Sequence, residues 1–94
     1  METKVMSMIM KAEEARARSI KVMEEKFPVD DLEHLDERIA QATDEMRFGI
    51  NIRMQDELPG IESHSMKRLL IEYLRLHNYN AFYVDNILEI RWQI

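Results

Sequence analysis

The chain has 94 residues, 46% of them hydrophobic and 33% charged, with two Gly, two Pro and no Cys. That is room for one domain, residues 1–94, with a thin core, and the balance marks a folded chain rather than a disordered one. The lack of Cys excludes structural disulfides and thiolate chemistry, and no apolar run approaches the ~20 residues that span a bilayer. The N-terminal apolar patch up to Lys11 has no small-residue cleavage site, so a cytoplasmic protein with no membrane partner is the expectation.

The net charge of −5 is uneven. Residues 29–62 hold three basic and ten acidic side chains, whereas residues 1–28 hold six and five. Such a chain is a poor binder of nucleic-acid backbone, which calls for a basic patch.

The spacing predicts a first helix over 3–26. Val5, Ile9, Ala12, Ile20, Met23 and Phe27 make one apolar strip, and Pro28 ends it. Met6, Met8, Met10 and Ala17 lie off that strip. A monomer has trouble burying two faces of one terminal helix, and Met is common at surfaces that meet partners. These four residues are the expected partner interface of a homo-oligomer. Lys4, Lys11 and Arg18 recur every seven residues and share a face.

A second helix is predicted over 31–48. Asp30 and Glu33 fit a capping box, Leu32, Leu35, Ile39, Ala42 and Met46 form a 3-4-3-4 seam, and Gly49 is the expected left-handed stop. Asp36, Glu37, Asp44 and Glu45 give this helix an acidic face. Ile50 to Met54 alternates as a strand with one buried face, and Gln55 to His64 reads as a polar connection turning at Pro59-Gly60. A third helix is predicted over 63–77, with Met66, Leu69, Leu70, Tyr73 and Leu74 inward, Ser63 or Ser65 as cap and Asn78 as stop. The tail reads as a hairpin, with strands at Ala81–Val84 and Ile87–Trp92 joined by Asp85-Asn86.

The order α-α-β-α-β-β implies an α+β fold. A right-handed crossover makes strands one and two parallel and strand three antiparallel to strand two, a three-stranded mixed sheet with helices on one face. The position of strand three, at the edge or between the others, stays open.

His34, His64 and His77 are far apart and none has a second His or Cys at ligand spacing. No Gly-x-Ser-x-Gly elbow and no Gly-rich phosphate loop occurs, so the chain is expected to have no catalytic residues, no metal and no cofactor. Arg53 and Arg91 sit beside core-facing strand residues. With Asn51 and Tyr83 they form a candidate ligand platform on the sheet's other face, since Arg and Tyr suit a phosphate plus a base.

Ala15-Arg16, Ile39, Ala42, Gly49 followed by Asn51-Ile52, Leu69-Leu70, Tyr79-Asn80 and the ending Leu88-Glu89-Ile90-Arg91-Trp92 resemble a widespread type of short bacteriophage α/β protein that ends in an Ile-x-Trp strand. The chain departs from that type at Asn78-Tyr79, where Gly-Tyr is more usual. Most such proteins have no assigned function, so no site residues carry over. The resemblance implies a phage product acting in an infected bacterium. The leading expectation is a non-enzymatic accessory protein that binds stoichiometrically, in counter-defence, by sequestering a nucleotide signal or occluding a host protein. The alternative is an acidic DNA mimic or protein inhibitor that binds a basic host protein.

Overall fold

A computed structural model describes residues 10–92. In chain order the elements are α1 (Ala12–Glu25), α2 (Val29–Asp44), β1 (Gly49–Arg53), a one-turn α3 (Met54–Glu57), α4 (His64–Leu76), β2 (Asn80–Val84) and β3 (Ile87–Arg91). The fold is α+β, with helices on one face of a three-stranded sheet.

The sheet order is β1-β3-β2. β3 pairs antiparallel with both neighbours, Ile50 opposite Ile90 on one side and Ala81 opposite Ile90 on the other. Strands one and two therefore run in the same direction, as the crossover argument expects, but they never touch. Both pairings are antiparallel, so the sheet is not mixed. The cause is the two-residue turn at Asp85-Asn86, which folds β3 back into the gap between β1 and β2. Asp85 takes a positive φ of 57° there.

Ile50, Ile52, Ala81, Leu88 and Ile90 point to the covered face and are buried. α2 packs against β1 and α4 against β2. Leu35 and Ala42 from α2, Leu70 and Leu74 from α4, and Phe27, Met54, Leu58 and Ile61 from the connections complete the core. Burial of Leu70 and Leu88 is complete, a position at which truncation to Ala costs about 2–5 kcal/mol.

α1 meets α4 along its length, from Arg16 to Glu24. Tyr73 Oη donates to Glu24 Oε1 at 3.0 Å, the Phe27 and Tyr73 rings lie 5.5 Å apart, and Arg16 donates to the terminal Leu76 carbonyl of α4 at 3.1 Å. The last of these satisfies an orphan carbonyl at a helix C-terminus. No residue of α1 is buried. The expected strip holds at Ile20, Met23 and Phe27 but fails at Ala12, which is exposed.

α2 differs at both ends from its expected bounds. It begins behind Pro28 with no side-chain cap, so Asp30 does not close a capping box. Asp31 instead turns inward, 7% exposed, and accepts from Gly60 N–H at 2.9 Å. That bond ties the Pro59-Gly60 turn to the helix. At the other end, Arg47 N–H reaches Ala42 O at 2.8 Å and Met46 N–H reaches Thr43 O at 3.0 Å. This is a Schellman closure, and Met46, φ 59°, holds the left-handed position expected of Gly49. Gly49 is already in β1. α3 is a further departure: the stretch after β1 makes a helical turn because Met54 and Leu58 both drop into the core.

α4 fits its expectation closely. Ser63 Oγ accepts from Met66 N–H at 3.1 Å, and Asn78 takes the left-handed stop with φ 69°.

Candidate functional site

The sheet's second face carries a grid of nine side-chain positions. The pairing sets Gly49, Arg91 and Asn80 in one row, Asn51, Glu89 and Phe82 in the next, and Arg53, Ile87 and Val84 in the third. No helix covers it. Asn51, Arg53, Phe82 and Val84 are exposed. Three of the four expected platform residues, Asn51, Arg53 and Arg91, sit here.

Tyr83 does not. Period-two alternation puts it on the covered face beside Leu88, where its hydroxyl donates to Lys67 O at 2.7 Å. Burial pushes that hydroxyl up to about 12. Phe82 takes the exposed place instead. Residues 81–84 are all apolar or aromatic, so alternation alone does not say which pair faces inward. Burial of Tyr73 raises its hydroxyl as well, with the hydrogen bond to Glu24 and that residue's charge adding to the effect.

Arg91 is fixed within the sheet. Nη1 donates to Ile50 O and Ile90 O at 3.0 Å each, and Nη2 donates to Asn51 Oδ1 at 3.1 Å and Glu89 Oε1 at 2.9 Å. The guanidinium lies flat across β1 because Gly49 has no side chain: a Cβ there would sit 2.5 Å from Arg91 Cδ. A phosphate would have to displace Glu89 and Asn51 to reach Arg91. Arg53 lies 3.9 Å from Asp56, with its side chain 76% exposed.

A groove of about 510 Å³ runs along the free edge of β1, lined by Arg38, Arg47, Phe48, Asn51 and Arg91 among others. Arg38 and Arg47 went unread as site residues, since the expected 31–48 helix placed both on an ordinary helix surface. Each arginine faces a carboxylate: Arg38 Nε lies 3.2 Å from Glu57, Arg47 Nε 3.1 Å from Glu45, and Arg91 as above. The groove's lining therefore carries three arginines, each paired with a carboxylate that is not part of the lining. Phe48 is 54% exposed at its rim.

The four residues expected to make an acidic face do not share one side of α2, since at 100° per residue Asp36 and Glu45 point to opposite sides. Asp36, Glu37, Asp44 and Glu45 are all exposed on α2 and just beyond it. Glu45 pairs with Arg47, and the other three make no ion pair among the described residues. At 100° per residue, Asp30, Glu33, Glu37 and Asp44 fall into one stripe. Of the expected partner interface, Met10 is 41% exposed and Ala17 is exposed. Met6 and Met8 lie outside the described residues.

The histidines do not meet. His34 Nε2 is 2.9 Å from Glu57 Oε1, His77 stacks edge-on against Tyr73 at 4.8 Å, and His64 is exposed at the start of α4. Among the described residues no three His, Cys, Asp or Glu side chains are grouped to hold a metal ion, and no helix is long and apolar enough to cross a membrane. The chain matches no protein-family model, no curated protein and no solved structure.

Proposed function

We propose that this chain is a non-enzymatic accessory protein that acts by stoichiometric contact with other proteins. It works as a homo-oligomer and occludes a host protein, in the counter-defence of a phage in its bacterium. The observation that carries the reading is a helix, α1, of 14 residues with none buried. Beside it, the uncovered sheet face with Phe82 and Val84 exposed offers a second surface. Small-molecule sites are concave and mostly apolar, whereas the largest concavity described is a shallow groove whose arginines are already paired with carboxylates.

The test is the solution mass by light scattering, with absorbance read from the same peak. An oligomer whose absorbance is that of Trp92 and the tyrosines supports the reading. A monomer carrying extra ultraviolet absorbance favours a sequestered nucleotide, with Arg47 and Phe48 the first residues to change. Turnover of a nucleotide by the pure protein would end the non-enzymatic reading.

The stripe of Asp30, Glu33, Glu37 and Asp44, without ion pairs among the described residues, favours a second reading. This is an inhibitor or DNA mimic that binds a basic host protein. Binding of that kind weakens steeply with salt and is abolished by reversing Asp36, Glu37, Asp44 and Glu45 together. Binding that survives this reversal removes the idea.

A further inference from the structure

α1 carries a second face, from Glu14 to Lys21, that the described residues leave open. Glu14, Ala17 and Lys21 follow one another at spacings of three and four, so they share one face of the helix. This face lies beside the strip of Ile20, Met23 and Phe27 that turns toward α4. All three of its residues are exposed. Neither Glu14 nor Lys21 makes an ion pair among the described residues.

The charges on this face are complementary to themselves. Glu14 and Lys21 lie seven residues apart, with Ala17 between them. A two-fold axis beside Ala17 sets a second copy antiparallel, so that Glu14 of each copy opposes Lys21 of the other. One ion pair thus appears twice, as an isologous contact requires. Ala17 meets its own symmetry mate at the centre, where a methyl group allows close approach. A parallel pairing would stack Glu14 on Glu14 and Lys21 on Lys21 and is disfavoured by the same charges.

From this arrangement we infer that α1 is the seam of an antiparallel homodimer, with Ala17 at the two-fold axis and Glu14 paired to Lys21 of the second copy. The inference rests on the self-association proposed above and adds its partner, direction and register.

The experiment compares the full chain with Glu14→Lys, Lys21→Glu and the doubly reversed chain by sedimentation equilibrium. The parent is expected at twice 11.3 kDa. Each single reversal places like charges in both symmetric layers and weakens the dimer by about tenfold or more. The double reversal restores the pairing and the dimer. Far-ultraviolet circular dichroism checks that these exposed changes leave the helix intact. The chain has no Cys of its own, so Ala17→Cys supplies a second readout. It should oxidise to a disulfide-linked dimer far faster than Val22→Cys, which points away from the seam. A dimer that ignores both single reversals, or equal oxidation of the two cysteine variants, overturns the seam while leaving self-association by another surface. A parent chain that is monomeric throughout overturns both.

Discussion

Arg91 shows how one residue can look like a ligand contact in sequence and act as a clip in the fold. Its side chain alternates away from the core, as the strand period says it must, but its donors close on β1 rather than on solvent. Gly49 makes that possible, so Gly49→Ala should push the guanidinium off Ile50 O and Asn51. Loss of one or two such bonds costs about 1–2 kcal/mol, measurable as a lower urea midpoint with an unchanged slope. Tyr83 gives a test in pH. Its hydroxyl is held up at about 12 against an ordinary value of 10.0, so the fold favours the protonated form. The stability this adds is complete below pH 10 and is lost as the pH rises through about 12. Tyr83→Phe should cost about 1 kcal/mol at neutral pH, through the lost bond to Lys67 O. The variant should also show a shallower alkaline fall in melting temperature than the parent. Asn51, Arg53 and Arg91 were legible as outward-facing because their neighbours are Ile. Tyr83 was not, because Ala, Phe, Tyr and Val in succession give alternation nothing to grip.

At the scale of elements, the ends of α2 and the edges of the sheet hold most of the unexpected chemistry. Met46 sits in left-handed backbone, 85% exposed, where glycine is easier by about 1 kcal/mol. Met46→Gly is therefore expected to stabilise the domain by about that amount in chemical denaturation. The sequence pointed to Gly49 because a glycine near the end of a 3-4 seam usually marks the stop. Here Arg47 N–H finds Ala42 O first, and the seam's last member lies outside the helix. The edges follow a common pattern. β1 and β2 turn alternate backbone groups outward, and on each edge an arginine bonds an outward carbonyl: Arg38 to Asn51 O at 3.0 Å and Arg75 to Ala81 O at 3.4 Å. Charged side chains of this kind discourage strand addition by another molecule. Replacing both arginines with Ala should raise the rate of aggregation, read by light scattering at constant protein concentration, more than replacing either alone. α4, its Ser63 cap, its Asn78 stop and the Asp85-Asn86 turn were readable because each rests on local backbone chemistry. α3 was not, since what folds that turn is the core space that takes Met54 and Leu58. Loss of the cap in Ser63→Ala should cost about 1 kcal/mol.

At the scale of the molecule, among the described residues one sheet face and the side of α1 turned away from α4 stay uncovered while the core fills the space between sheet and helices. The sheet itself has a further property, which lies in its order. The strand made last stands in the middle, and the two strands made earlier flank it without touching. Until residues 87–91 have been synthesised, β1 and β2 have no strand to pair with among the described residues. The sheet does not grow strand by strand during translation but closes in a single event when the hairpin turns. A chain cut after Asn86 is thus expected to lose all strand signal in circular dichroism, rather than one third of it. The same dependence makes β3 the strand without which the described residues form no sheet.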